Sequence, residues 1–263
     1  MLSTDKLNEL QQIAKEIRKD ILVETHEAKS GHPGGALSCT DILTAIYFYE
    51  KQDGDKVVLS KGHSAPALYA ALAEHGDIPK DELKTLRKLG SRLQGHPSSK
   101  ALDKIDVSSG SLGQGLSIAN GIAMANKLDK KKNNIYVILG DGEIAEGQVW
   151  EAAMSSAHYK LNSIIAFLDY NKMQIDGTND EVMTSKPVDK KFKVFGWNVQ
   201  VIDGHDFNQI IDAIEKAKKS RKPNMIIANT IKGKGVSFME NQVEWHGKAP
   251  DDDQFLQAMK ELV

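Results

Sequence analysis

Apolar residues along the chain follow two alternating spacings, which predict helices and strands in turn. Three- and four-residue spacing of leucines and isoleucines predicts a helix over 5–29. A continuous apolar run at 135–139 is typical of a parallel strand buried on both faces, and further strands are predicted at 57–59, 163–168, 197–202 and 225–230. Further helices are predicted from near Ser38 and at 65–75, 80–89, 116–127, 146–160 and 206–219. This alternation predicts an α/β fold, a doubly wound and mostly parallel sheet with helices on both faces.

The pattern shows neither a repeat nor a linker, so we expect one domain over 1–263. A C-terminal arm is predicted from about residue 232, and it ends in a short helix begun by Asp251-Asp252-Asp253. This acidic start makes the last helix a finished element. We therefore expect a natural subunit, with truncation of a longer chain as the alternative.

The amino-acid composition argues against some classes of binding partner. Lys plus Arg is 34 and Asp plus Glu is 36, so the formal charge of −2 argues against nucleic acid or an anionic membrane as the main partner. There is no run of apolar residues long enough to span a bilayer, and the first residues do not resemble a signal peptide. Cys39 is the only cysteine, which excludes an internal disulfide and a cysteine metal site, and we expect a cytoplasmic location.

Polar residues follow two successive strands of the predicted sheet. Asp141 comes directly after one strand, within Gly140-Asp141-Gly142, and Asn171 follows the next. Ligands bind at the carboxyl ends of such strands, which lie about 4.8 Å apart, so both side chains can reach one small cation. Mg²⁺ and Ca²⁺ take oxygen ligands of this kind, and a backbone carbonyl such as that of Met173 would complete the set of ligands that the protein provides.

The same turn does not fit a dinucleotide. The pattern G-x-G-x-x-G is missing, because the next glycine after Gly142 is Gly147. Asp141, Glu143 and Glu146 would repel a bare pyrophosphate, whereas a divalent cation between them reverses that repulsion. The turn therefore favours a metal-bridged diphosphate. The alternative is an ordinary tight turn with an acidic helix start.

Histidine placement is a second signal. His32, His63, His96 and His205 each follow a glycine, and His246 precedes one. Glycine lets the backbone approach a ligand closely, and histidine titrates near neutrality and donates hydrogen bonds. The repeated context favours a shared pocket over isolated solvated histidines.

These motifs together resemble the transketolase family, in the order that the family has them. The chain carries Ser30-Gly31-His32-Pro33-Gly34, Lys61-Gly62-His63-Ser64, Gly95-His96-Pro97, the loop Gly110-Ser111-Leu112-Gly113-Gln114-Gly115, the pair Asp141 and Asn171, and His246-Gly247. Enzymes of the pyruvate dehydrogenase type share only the cofactor motif. Deoxyxylulose-phosphate synthase is closer, but Pro33 and Gly95-His96-Pro97 are more similar to transketolase.

The resemblance implies thiamine diphosphate and Mg²⁺ as cofactors, with Ca²⁺ or Mn²⁺ as possible substitutes. It assigns the metal to Asp141, Asn171 and the Met173 carbonyl, and it assigns catalytic positions to His32, His96 and Glu146. It places the cofactor against His63, Gly110, Leu112, Gly113, Asp141, Gly142, Glu143, Asn171 and His246. His32 and His96 would face sugar hydroxyls, and Glu146 would join carboxylates across a subunit interface or simply begin a helix.

The resemblance covers only the first domain of a transketolase. It therefore implies the N-terminal, diphosphate-binding subunit of a split transketolase, which moves a two-carbon ketol unit from a ketose phosphate to an aldose phosphate. The implied partner is a C-terminal subunit with the pyrimidine-binding and C-terminal domains, in an α2β2 assembly. The alternatives are a related thiamine enzyme acting on a different sugar or biosynthetic intermediate, a non-catalytic diphosphate-binding module, and a degenerate homologue.

Overall fold

The computed structural model describes residues 2–263 and contains one five-stranded sheet whose strands all pair in parallel. The strands are β1 Lys56–Leu59, β2 Ile135–Gly140, β3 Ile164–Tyr170, β4 Asn198–Asp203 and β5 Asn224–Asn229, in the spatial order β1-β2-β3-β5-β4. The α-helices are α1 Thr4–Ala28, α2 Pro33–Ser38, α3 Thr40–Ala45, α4 Ala65–Glu74, α5 Gln114–Leu128, α6 Gly147–His158, α7 Asn179–Val182, α8 Val188–Val194, α9 Phe207–Lys218 and α10 Asp252–Glu261. The predicted α/β fold is confirmed.

Both faces of the sheet are covered, because alternate residues of each strand point to opposite sides. On β2, Tyr136 and Ile138 pack into a core with α1, α4 and α9. Ile135, Val137 and Leu139 pack into a second core with α5, α6 and α8. This arrangement explains the unbroken apolar runs of β2 and β3, whereas the edge strand β4 is only partly covered and its Val201 is exposed.

The first helix has clear signals at both ends. The Ser3 hydroxyl accepts a hydrogen bond from the Lys6 N–H and caps the start of α1. Lys29 ends the helix with φ of +49°, and its N–H bonds back to carbonyls of the last turn. Even α1, the longest helix, is too polar for a bilayer, and within residues 2–263 the structure has no helix suited to cross one.

Two helix predictions were wrong in their bounds. The segment predicted as a helix over 80–89 is a 3₁₀ helix over Lys80–Thr85, and Arg87 then takes φ of +59°, which stops any helix. The helix predicted from near Ser38 begins earlier, because α2 starts at Pro33 and includes Gly34 and Gly35. Position 34 requires glycine, because the Cβ of any other residue would lie 2.7 Å from the Trp245 carbonyl oxygen.

The segment after β5 runs back across the domain. It contains a 3₁₀ turn over Val243–His246 and ends in α10. The α10 helix docks on α1, where the Phe255 ring stacks on His26 at 4.3 Å and Asp252 accepts a hydrogen bond from the same histidine at 2.8 Å. This return path is what brings His246 to the carboxyl ends of the strands.

One buried acid lies at the packing face of α1. Glu24 is fully buried, and neither of its carboxylate oxygens has a hydrogen-bond partner in the described chain. Burial, together with Asp20 one turn earlier, raises the pKa of Glu24 well above its ordinary value. Folding therefore takes up a proton at pH values between the ordinary glutamate pKa and the raised one, and stability falls as pH rises through that range.

We expect Glu24→Met to increase the free energy of unfolding at pH 7 by about 1–3 kcal/mol, because it removes an unpaired buried polar group. Urea unfolding at pH 5 and pH 8 should show the gain growing with pH. Glu27→Met, at an exposed position on the same helix, is the control. A gain no larger than that of the control would contradict the prediction.

Candidate functional site

The ends of β1, β2, β3 and β5 surround one cavity of about 400 Å³. Parallel strands all finish at this edge, so the residues that follow each strand converge there. The cavity is lined by eleven of the thirteen residues predicted for the site, namely His32, His63, His96, Gly110, Leu112, Asp141, Gly142, Glu146, Asn171, Met173 and His246. Gly113 and Glu143 do not line it.

Asp141 and Asn171 follow neighbouring strands in register. Gly140 pairs with Asp169, so the two side chains emerge at adjacent strand ends. The Asp141 carboxylate accepts hydrogen bonds from the backbone N–H groups of Gly142, at 2.9 Å, and Lys172. The Asn171 amide oxygen accepts one from the Met173 N–H at 3.1 Å. Both side chains are therefore held in place by the turns that follow their strands.

Electrostatics at Asp141 favour a cation beside it. Burial is the main cause that raises the pKa of Asp141 to about 7, and the Asp169 carboxylate adds to it. The described residues contain no cluster of three histidine, cysteine or acidic side chains that would hold a metal alone. The available donors are one carboxylate, one amide oxygen and the Met173 carbonyl, and all are hard oxygen ligands of the kind that suit Mg²⁺ or Ca²⁺.

Three of the five glycine-flanked histidines form a cluster of rings that lines the same cavity. The ring centroids of His32, His63 and His246 lie 5.1–5.5 Å apart. His96 joins them across Gly110, where an added Cβ would lie 3.5 Å from the His96 ring. Four of the five histidines that neighbour a glycine in the sequence therefore line one pocket.

The histidines that line the cavity are neutral. Burial and neighbouring cations lower the pKa of His32 to about 4 and that of His246 to about 3, and they lower the pKa values of His63 and His96 as well. The expectation of titration near neutrality is therefore wrong for His32, His63 and His246 in this state. They act as neutral groups that donate at one ring nitrogen and accept at the other.

His205 has a different, structural position. One ring nitrogen contacts the Asp41 carboxylate at 2.6 Å, and the other accepts a hydrogen bond from the Ile231 N–H at 2.9 Å. Asp41 is also paired with Arg18. This histidine ties α3 to the end of β5 and does not line the cavity.

Glu143 lies beneath the cavity. Its carboxylate accepts hydrogen bonds from the N–H groups of Gly113 and Gly140, both at 2.9 Å, and from the Ser60 hydroxyl. It thereby joins the glycine-rich loop to the ends of β1 and β2. These three donors hold the carboxylate in place, and its contact with the cofactor, which the resemblance implies, stays a prediction.

Gly113 precedes α5 with φ of +84° and lies against Glu146. An added Cβ would approach the Glu146 Cβ to 2.9 Å. The glycine therefore lets the loop pass under Glu146, which is exposed at the cavity rim. Its contribution to the site is close packing behind the cavity wall.

Two buried lysines in the cavity have no assigned role in the sequence prediction. Lys61, after β1, is paired with Asp169 and donates to the Gly35 carbonyl at 2.8 Å. Lys232, after β5, contacts Nδ1 of His246 at 2.9 Å, and burial lowers its pKa to about 8. A signal for both exists in the sequence, because each lysine lies two or three residues beyond a strand of the parallel sheet.

The fold and the site together define a thiamine diphosphate-binding protein of the parallel α/β class. The chain belongs to the transketolase family, since the family model described as the thiamine diphosphate binding domain of transketolase matches residues 10–262. The resemblance predicted from the motifs is confirmed.

Relatives of two lengths match the chain. The 6-deoxy-6-sulfo-D-fructose transketolase subunit SqwG of Clostridium sp. (strain MSTE9) is 45% identical, and the match covers 97% of this chain and 96% of the relative. An apulose-4-phosphate transketolase subunit of Actinobacillus succinogenes is 40% identical with the same coverage. Human transketolase is 39% identical, but the match covers only 42% of its length.

Solved structures agree with the sequence matches. A transketolase structure from Campylobacter jejuni superposes with a TM-score of 0.92 at 32% identity, over 97% of this chain and 43% of that one. This chain therefore has the length of the relatives named as subunits and less than half the length of the larger transketolases.

Proposed function

We propose that this chain is the N-terminal subunit of a split transketolase, which transfers a two-carbon ketol unit between sugar phosphates. The observation that carries the proposal is the pair Asp141 and Asn171 at adjacent strand ends, lining the same cavity as the histidine cluster. Oxygen ligands and hydrogen-bond donors in one cavity match a diphosphate bridged by a divalent cation.

The residues present fit both the cofactor and a metal. Asp141, Asn171 and the Met173 carbonyl would hold Mg²⁺, whose charge would offset the buried carboxylates. His63 and His246 would donate to the diphosphate, and the loop at Gly110 and Leu112 would support the ring system. Thiamine diphosphate, when bound, supplies a carbanion that adds to the sugar carbonyl. The chain itself binds, orients and shields this group from water.

His32 and His96 would bind the substrate on the open side of the cavity. Both are neutral and line the cavity, so each can donate one hydrogen bond to a sugar hydroxyl. Glu146 stands exposed at the same rim, where a partner chain would reach it.

The open rim favours a partner subunit. Apolar side chains are exposed there, with Ile175 at 64%, Val182 at 42% and Met183 at 59% exposure. Pockets of this kind are completed between domains, and a companion C-terminal subunit would cover these residues. We propose an α2β2 assembly in the cytoplasm.

The names of the relatives favour a second candidate for the substrate. The two subunit-length relatives are named for sulfofructose and for apulose 4-phosphate. A related reaction on a less common ketose is therefore a specific alternative to the pentose phosphates of general carbohydrate metabolism.

The test is reconstitution. We expect the purified chain alone to show no ketol transfer, because half of the pocket is open. We expect activity when it is mixed with a C-terminal transketolase subunit, thiamine diphosphate and Mg²⁺. The donor panel should include xylulose 5-phosphate, apulose 4-phosphate and sulfofructose, each with an aldose phosphate as the acceptor. Turnover by the chain alone would refute the split site, and inactivity of the assembled pair on every ketose would refute the transketolase assignment.

A further inference from the structure

Arg87 lies outside the cavity lining but contacts one of its histidines. Its guanidinium donates from Nη1 to the Ser30 hydroxyl at 2.9 Å and from Nη2 to Nδ1 of His32 at 3.4 Å. Within the described chain it has no carboxylate partner. No pattern in the sequence singles it out, because it falls inside a segment predicted to be helical.

The backbone at Arg87 is arranged to bring this side chain back over the pocket. The residue has φ of +59°, and its N–H donates to the Leu93 carbonyl at 2.9 Å, which closes a loop after the 3₁₀ helix. A left-handed conformation is unfavourable for a residue other than glycine, and here the closed loop maintains it. A regular helix through 89 would carry the side chain elsewhere.

Gly95 makes room for the guanidinium. A Cβ at this position would lie 3.0 Å from Nε and 3.1 Å from Cζ of Arg87. The glycine in Gly95-His96-Pro97 is thus explained by the close approach of Arg87 as well as by proximity to a ligand. It places the arginine beside both His32 and His96.

A guanidinium only donates hydrogen bonds and keeps its proton at any pH of interest. The Nδ1 atom of His32 must therefore accept, and the single proton of the neutral ring lies on Nε2. We propose that Arg87 is a positioning residue that holds His32 as the neutral Nε2–H tautomer, with that donor available to the substrate. The proposal rests on the substrate-binding role proposed above for His32.

The surroundings of His32 support the neutral form. The ring faces His63 and His246 at 5.4 and 5.5 Å, and Arg87, His96 and Lys232 are the cationic or titratable groups that lower its pKa after burial. Lys232 stands in the same relation to His246, whose Nδ1 it contacts at 2.9 Å. Two of the cavity histidines thus each have a cation at Nδ1.

The direct test reads the tautomer by ¹⁵N-histidine NMR of the full chain, with His32→Gln used to assign the signal. We expect the wild-type spectrum to show an unprotonated Nδ1 and a protonated Nε2 at pH 7. Arg87→Met should give a mixture of tautomers. Lys88→Met, at the next residue, whose exposed side chain has no partner in the described chain, should give the wild-type pattern.

The second test is kinetic and uses the assembled enzyme. Arg87→Met loses a charged hydrogen bond, which should lower kcat/KM about tenfold. It also removes a cation beside His32, which should move the acidic limb of the pH profile upward by roughly half to one pH unit. Arg87→Lys keeps the charge and should retain the wild-type limb. If Arg87→Met does not fold, the His32 tautomer measured in the wild type and in Arg87→Lys still tests the proposal.

The outcomes separate this proposal from its alternatives. A wild-type Nδ1–H tautomer, or Arg87→Met behaving like Lys88→Met in both tests, would overturn it. A rise in KM confined to phosphorylated sugars would also overturn it, by showing that Arg87 binds the substrate phosphate. If the tautomer is as proposed but no ketose reacts, the proposed function fails while the positioning of His32 by Arg87 stands.

Discussion

Asp141→Asn is expected to lower the affinity of the assembled enzyme for thiamine diphosphate in the presence of Mg²⁺ by about 100-fold or more, because a proposed metal ligand is lost. Calorimetric titration with the cofactor, with Mg²⁺ and with a chelator, measures the effect. In the chelator, wild type and variant should bind equally weakly.

The variant isolates the metal because the shape of the side chain is kept. The amide oxygen can accept from only one of the two backbone N–H groups, those of Gly142 and Lys172, that hold the two oxygens of Asp141. The neutral amide also avoids the cost of burying a carboxylate whose pKa burial has raised to about 7, which offsets the lost hydrogen bond. The melting temperature of the free chain should therefore stay close to that of wild type. A lower affinity can then be attributed to the site.

Asp176→Asn is the matched control. Asp176 is an exposed carboxylate on the rim of the same cavity, so the change in charge is identical. Its affinity for the cofactor should remain within about twofold of wild type, since exposed charges are screened. Equal losses in the two variants, or unchanged affinity in Asp141→Asn, would refute the metal assignment.

The strands and their polar ends could be predicted because one physical rule governs both. A parallel strand buried on both faces must be apolar throughout, and the first polar residues after it lie at the binding edge. This rule located β2 and β3 and the residues Asp141 and Asn171. The predicted strand 225–230 likewise falls within one residue of β5.

What could not be predicted depends on contacts between distant segments. The left-handed backbone of Arg87 is maintained by a loop that closes on Leu93, and no local pattern records that closure. The resemblance implies that Glu143 contacts the cofactor, but nothing in the sequence indicates that two backbone amides and a hydroxyl from three other positions hold its carboxylate. The pKa values of the histidines depend in the same way on burial and on lysines that only the fold brings near.

Lys61 and Asp169 form the most deeply buried ion pair among the described residues. Both side chains are almost completely buried, at 2% and 0% exposure. Asp169 also accepts from the hydroxyls of Ser38 and Thr230, so α2, β1, β3 and the end of β5 meet at one carboxylate. Burial alone would raise the pKa of Asp169, but Lys61 and the hydroxyls outweigh it and leave the pKa below its ordinary value.

Lys61→Met is therefore expected to lower the free energy of unfolding by about 3–5 kcal/mol, because it leaves a buried carboxylate without its cation. Urea unfolding of the chain without cofactor measures the change. Lys131→Met, which breaks the exposed pair with Asp129, should cost less than about 1 kcal/mol.

The double variant Lys61→Met with Asp169→Asn decides the cause. It removes both charges but keeps an acceptor for the two hydroxyls, so it should recover much of the stability lost in Lys61→Met.

The sign of the pH dependence gives an independent check. Because the folded pKa of Asp169 is depressed, its contribution is present above the ordinary aspartate pKa and is lost as pH falls through the folded value, below about pH 4. Wild type should therefore lose stability more steeply than the double variant in that acidic range, and parallel curves would show that packing around Lys61, and not its charge, stabilises the fold.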